Sequence, residues 1–158
     1  MKAWRVNELG QPRDVLALEE TTDPTPNATE MLVKVLAAPA NFPDVLMCRG
    51  EYQLKPPLPF TPGVELCGEV VSVGESVTKF AVGDRVIGNP SLPSGGFAEY
   101  SVLDHNNTFP APSALDDAEA SALSIGYQTA WFALHRRPQL LEGATLLVHA
   151  AAGGVGRA

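Results

Sequence analysis

The stretch Gly63-Val64-Glu65-Leu66-Cys67-Gly68-Glu69-Val70-Val71-Ser72-Val73-Gly74 runs directly into Glu75-Ser76-Val77-Thr78-Lys79-Phe80-Ala81-Val82-Gly83-Asp84-Arg85-Val86-Ile87-Gly88. Two apolar, β-branched segments, Val64–Val73 and Arg85–Ile87, have strand lengths and are separated by polar turn residues. Gly74 and Gly83 are free to take positive φ, and Gly83-Asp84 is a turn dipeptide in its own right. The pattern extends outward in both directions. Upstream, Lys2–Val6, Val15–Glu20 and Met31–Ala37 read as strands, and in Met31–Leu36 the residues Met31, Val33 and Val35 alternate with Leu32 and Lys34 as a half-buried strand requires. Downstream, Gly95-Gly96-Phe97-Ala98-Glu99-Tyr100 reads as a turn opening a further strand. Asp23-Pro24-Thr25-Pro26 and the prolines at 56, 57, 59 and 62 exclude helix from the intervening segments. Short strands punctuated in this way predict a closed or partly closed barrel.

From Pro112 the period changes. Asp116 and Glu119 stand as an N-cap and the residue three positions on, so the Asp116-Asp117-Glu119 cluster reads as a helix-start charge pattern. An alanine-rich stretch follows, and Tyr127–Arg137 continues it with Ala130, Phe132, Ala133 and Leu134 at helical spacing, closed by Arg136-Arg137-Pro138. After a turn at Glu142-Gly143, Thr145–Ala150 reads as a buried strand of the parallel-sheet type. It leads into Ala151-Ala152-Gly153-Gly154-Val155-Gly156, which has the glycine spacing of a dinucleotide-binding turn with alanine at the first position. Backbone without side chains admits a pyrophosphate, and the amides of a following helix start hold its charge.

Composition limits what such a chain does. Of 158 residues, 11 are Lys or Arg and 18 Asp or Glu, a formal net charge of −7, which opposes binding to nucleic acid. The 45% apolar and 18% charged fractions suit a globular domain, and the 14 glycines and 14 prolines supply its turns. The longest near-apolar run, Ala144–Gly156, is too short to span a bilayer, so no membrane partner is expected. Cys48 and Cys67 are too few for a disulfide scaffold or a four-cysteine zinc site and read as core thiols.

Taken in their order, GVELCGEVVSVGESVTKFAVGDRV, GGFAEY and VHAAAGGVG, together with LAAPANFPDVLMCRGEYQ, resemble the zinc-independent quinone oxidoreductases of the medium-chain dehydrogenase/reductase superfamily, from Met1 to Gly156. The resemblance implies a mainly β fold with helices: a GroES-like, partly open β-barrel over residues 1–112, a helical connector over 113–143, and the first strand and glycine loop of a truncated Rossmann domain over 144–158. It implies NADPH as cofactor, a small quinone or enone as substrate, a cytoplasmic location and a homodimeric full-length parent. The 158-residue chain is then expected to be an N-terminal portion that is inactive alone. Where zinc-dependent relatives carry a cysteine and a Gly-His-Glu motif, this chain has Asn41 and Gly63-Val64-Glu65, so no zinc is expected.

By the same resemblance, Asn41 and Tyr52 are the candidate catalytic residues, an amide and a phenol that donate to a developing oxyanion. Asn41, Thr129, Ala152, Gly153, Gly154, Val155 and Gly156 are the candidate cofactor contacts. Each has a plainer alternative. Asn41 before Pro43 and Asp44 suits a helix cap, Tyr52 a core or cleft-wall aromatic, and Thr129 an ordinary helix position. Leu46 stands where some relatives have a second tyrosine, which makes the pocket more apolar. Asp44 and Glu65 are expected to cap or brace turns through backbone hydrogen bonds, with a role in the cleft as the alternative. The alternative functions are an enoyl or alkenal double-bond reductase of the same superfamily and a non-catalytic GroES-like interaction module.

Overall fold

A computed structural model of the chain describes residues 1–137 and 140–158. In chain order the elements are β1 (Lys2–Val6), α1 (Pro12–Val15), β2 (Leu16–Glu20), β3 (Glu30–Ala37), α2 (Phe42–Cys48), β4 (Leu66–Val73), β5 (Arg85–Pro90), β6 (Tyr100–Pro110), α3 (Asp117–Ser121), α4 (Ser124–His135) and α5 (Gly154–Arg157).

The sequence expectation of a closed or partly closed barrel is met. β3 pairs antiparallel with both β4 and β6, and β5 lies between β4 and β6, so the pairings of β3, β4, β5 and β6 run round a ring. The ring is uneven where β5 meets β6: the register jumps from Gly88↔Thr108 to Pro90↔Leu103. The long β6 manages this by spending its first half on β3 and its second on β5. β1 and β2 form a separate hairpin tied to the barrel by the Trp4 N–H donating to Phe97 O at 2.8 Å.

The alternation in β3 places Met31 and Val33 inside the barrel, where they meet Leu66, Val70, Val86 and Leu103, while Lys34 stays in solvent. A second core, Val6, Met47, Cys48 and Phe60, seals the hairpin and α2 against the barrel's side. On the outer face, Cys67 and Ile87 are covered by Ala120 of α3. That helix starts as anticipated: Asp116 Oδ1 accepts from Glu119 N at 2.8 Å, and Glu119 Oε2 accepts from Asp116 N at 3.2 Å. Of the two glycines read as free for positive φ, Gly83 takes it at φ +93° and Gly74 does not.

Two expectations need correction. The helical stretch expected to run on from Asp116 to Arg137 is two helices, α3 and α4, interrupted at 122–123, and α4 ends at His135; Pro138, read as part of its close, lies outside the described residues. The buried strand expected at Thr145–Ala150 is not formed: the segment is irregular and exposed, with Leu147 at 79% exposure. A strand of the parallel type gains its hydrogen bonds and its burial from neighbouring strands, and no described strand lies alongside this one. Among the described residues no helix is long and apolar enough to cross a membrane.

Candidate active site

Asn41 is the N-cap of α2, with extended backbone at φ −117° and ψ 160°, and Pro43 in the first turn suits that start. Asp44, at the third helical position, is buried and divides its carboxylate between two donors. Oδ2 accepts from Asn41 N at 2.8 Å and Oδ1 from Gly63 N at 2.8 Å. Through Asp44 the start of α2 is fastened to the turn that leads into β4. Gly63 lies at φ +107° in that turn, its carbonyl accepting from Gly96 N at 2.8 Å.

Two residues on, Glu65 is 2% exposed and also uses both carboxylate oxygens. Oε1 accepts from Asn41 Nδ2 at 2.9 Å, and Oε2 accepts from the backbone N–H of Ile125 at 2.8 Å. Leu123, the N-cap of α4, has no polar side chain to cap the helix, and Glu65 takes that part from 60 residues away. A chain of bonds runs beside it: Asn89 Nδ2 donates to Val64 O at 2.8 Å, Ser124 Oγ to Asn89 Oδ1 at 3.0 Å, and Gln128 Nε2 to Ser124 Oγ at 3.2 Å. Burial pushes both carboxyls above the ordinary carboxylate range, and the N–H bonds they accept act against that rise. Neither forms an ion pair among the described residues.

Asn41 is thus the helix cap that its place before Pro43 and Asp44 suited. Its amino group already donates to Glu65 and, at 3.4 Å, more weakly to Pro39 O, so a single loosely held N–H remains for a ligand. Tyr52 stands beyond the other end of α2, half-buried against the cluster of Val6, Met47, Cys48 and Phe60. Leu46 between them is also half-buried. Thr129 sits on α4 one turn beyond Ile125, with its side exposed.

The glycine segment folds into a turn closed by Gly153 N donating to Ala150 O at 2.9 Å, with Gly153 as N-cap of the short α5. The turn lies against the start of α4, close enough that a Cβ on Gly126 would stand 3.7 Å from Gly154 O. Between them is an open groove of about 610 Å³ whose walls include Ala130, Leu134, Val148, Gly153, Val155 and Gly156. Ala152 lies in the turn itself, exposed. Glycine is required at 156, because a Cβ there would meet the carbonyl oxygen of Ala150 at 2.5 Å. Gly154 has open space where a Cβ would stand, so the turn leaves that backbone bare, although the strand expected ahead of it is absent.

Cys48 and Cys67 are buried in different clusters, and burial pushes both thiols up. Among the described residues no three His, Cys, Asp or Glu side chains are grouped to hold a metal ion. The feature that reading the sequence missed is the Asn41–Glu65–Ile125 link. Its signal was an acidic residue set inside the apolar run Val64–Cys67, the mark of a buried carboxylate with a fixed task.

Residues 27–113, more than half of the chain, match the alcohol dehydrogenase GroES-like domain. The chain belongs to that family. This GroES-like chain is 39% identical over 158 residues to the quinone oxidoreductase of Rattus norvegicus, covering 100% of the chain and 48% of the rat protein. Its fold matches the structure of the quinone oxidoreductase from Coxiella burnetii with a TM-score of 0.91 at 32% identity, covering 99% of this chain and 51% of that one. A mycobacterial protein solved in complex with NADPH matches with a TM-score of 0.90 at 35% identity, covering 99% and 47%. The GroES-like chain spans about half the length of the curated relatives it matches. With these relatives the chain falls in the medium-chain dehydrogenase/reductase superfamily.

Proposed function

We propose that this chain is the substrate-side half of a zinc-independent reductase that reduces quinones or related conjugated carbonyls with NADPH. The observation that carries the reading is the Glu65 carboxylate joining Asn41 to the start of α4, the helix that bears Thr129 and abuts the glycine turn. A residue facing substrate and an element facing cofactor are held by one side chain. The rat relative's name supports quinone as acceptor, and the NADPH complex of the mycobacterial relative supports that cofactor.

NADPH, when bound, supplies the hydride. In this reading the backbone of Gly153, Gly154, Val155 and Gly156 takes the pyrophosphate beside Ala152, and Thr129 and Asn41 reach the nicotinamide end. Tyr52 donates its phenolic O–H to the acceptor oxygen as negative charge develops there and delivers the proton that completes reduction. The remaining Asn41 N–H assists, while Leu46 and the apolar cluster around Tyr52 keep the acceptor side dry.

The test is Tyr52→Phe in the full-length protein, assayed by NADPH oxidation against several quinones and enones. Loss of one donor to a developing oxyanion lowers kcat by about 10²–10³-fold. An unchanged kcat across the panel removes Tyr52 from the chemistry, and no NADPH oxidation by the wild type with any acceptor defeats the reading as a whole.

A further inference from the structure

We infer that Glu65 is a positioning residue that couples the Asn41 carboxamide to the N-terminus of α4, fixing the substrate side of the cleft relative to the cofactor side. The inference deepens the reading above and rests on it for the naming of the two sides.

The geometry is specific to a carboxylate. Glu65 receives two N–H donors on two different oxygens, Asn41 Nδ2 at 2.9 Å and Ile125 N at 2.8 Å. Glutamine, its isostere, has one oxygen and one NH2 group. Turned to accept from Ile125, a glutamine would aim its NH2 at the Asn41 amino group. Turned to accept from Asn41, it would aim its NH2 at the helix's N–H. The second arrangement sets two donors against each other, and the first is relieved only if Asn41 flips its carboxamide and gives up its bond to Pro39 O. Aspartate keeps the charge but is one methylene shorter and cannot span both partners. Charge alone does not account for the choice, because burying an unpaired carboxylate is costly and a neutral residue is the cheaper brace for a turn.

The surroundings remove the freedom that would let either partner drift. Val64, just before Glu65, is pinned through its carbonyl by Asn89, which also receives the Ser124 hydroxyl at the first residue of α4. Asn41 is held a second time through its backbone N–H by Asp44. A shift of α4 therefore pulls directly on the Asn41 amide. Since misplacement by about 1 Å can cost on the order of 10²-fold in rate, this link governs the alignment of acceptor and hydride donor.

The experiment compares Glu65→Gln and Glu65→Asp with wild type in the full-length protein, by 15N NMR and by steady-state kinetics. The inference expects both variants to disturb the Asn41 side-chain amide or the Ile125 backbone amide, in chemical shift or hydrogen exchange. It also expects kcat to fall by about 10-fold or more with KM for NADPH changed less, the signature of misalignment. Full kcat in Glu65→Asp would mean that the charge alone matters, and would overturn it. So would unperturbed amides in either variant, or disturbed amides with unchanged kinetics. If neither variant folds, Asn41→Ala gives the decision: faster exchange at Ile125 supports the coupling, and unaltered exchange refutes it. The amide readouts do not depend on catalysis, so a protein that reduces no quinone still tests the coupling.

Discussion

Gly63 and Gly83 share a backbone state but not an environment, and substituting alanine at each separates conformational strain from crowding. Gly83 lies at φ +93° with no atom within 4 Å of the place a Cβ would occupy. Gly63 lies at φ +107°, and a Cβ there would stand 2.6 Å from Gly96 N and 2.7 Å from Phe97 N. Those two amides are engaged, donating to Gly63 O at 2.8 Å and Pro62 O at 2.9 Å, so the methyl cannot be relieved by turning a side chain. For Gly83→Ala the cost is the left-handed backbone, about 1–2 kcal/mol, offset by about 0.4–1 kcal/mol from the stiffer unfolded chain. Gly63→Ala carries the same terms plus about 1–3 kcal/mol for overpacking against backbone. At about 2–4 °C per kcal/mol for a chain of this size, Gly83→Ala lowers Tm by a few degrees and Gly63→Ala by about 2–18 °C, the larger loss of the two. Thermal melts by circular dichroism under one buffer decide it. Equal destabilisation of the two variants would refute the crowding argument, and with it the claim that the turn before Glu65 is held rigid by its packing.

Burial raises the carboxyls of Asp44 and Glu65, so the folded chain holds their protons more tightly than the unfolded chain. Their contribution to stability is full below the ordinary carboxylate value of about 4 and is lost as pH rises through the raised values. Glu65→Gln removes one of the two, so urea denaturation across this window should show a shallower fall in stability with rising pH than wild type; an identical slope would contradict the assignment. Asp116→Ala breaks the reciprocal cap with Glu119 and should lower stability by about 1 kcal/mol in denaturant titration, whereas no change would mean that α3 is held by Ala120 packing alone. Gly156→Ala forces the glycine turn open at Ala150 O, and by fluorescence titration of the full-length protein it should weaken NADPH binding by about tenfold or more. An unchanged Kd would place the cofactor elsewhere.

The parts of the fold that were legible in the sequence are those with a local cause. Alternation in Met31–Val35 fixes which face of β3 is buried, and Asp116 with Glu119 announces α3 because a cap acts within four residues. Thr145–Ala150 misled for the opposite reason: its apolar run has the composition of a buried strand, but a strand has no internal hydrogen bonds to form alone. The separate start of α4 was not legible, because Leu123 cannot cap it and Glu65 supplies the missing bond from far along the chain. At the candidate site, Asn41 was legible as a helix cap and Asp44 as a brace. The Glu65 link joins residues 24 and 60 positions away in the chain, and no periodicity or spacing encodes it.

The central claim is that this chain forms the acceptor-binding half of an NADPH-dependent reductase. Its most direct measurement is hydride tracing in the full-length protein, with NADPH carrying deuterium at the reactive nicotinamide carbon and an enone as acceptor, followed by mass spectrometry of the product. The account predicts one deuterium on the β-carbon of the reduced enone for each NADPH oxidised, with the second hydrogen drawn from solvent. A protein that binds NADPH but transfers no deuterium to the enone, and oxidises no NADPH with quinones, would contradict it.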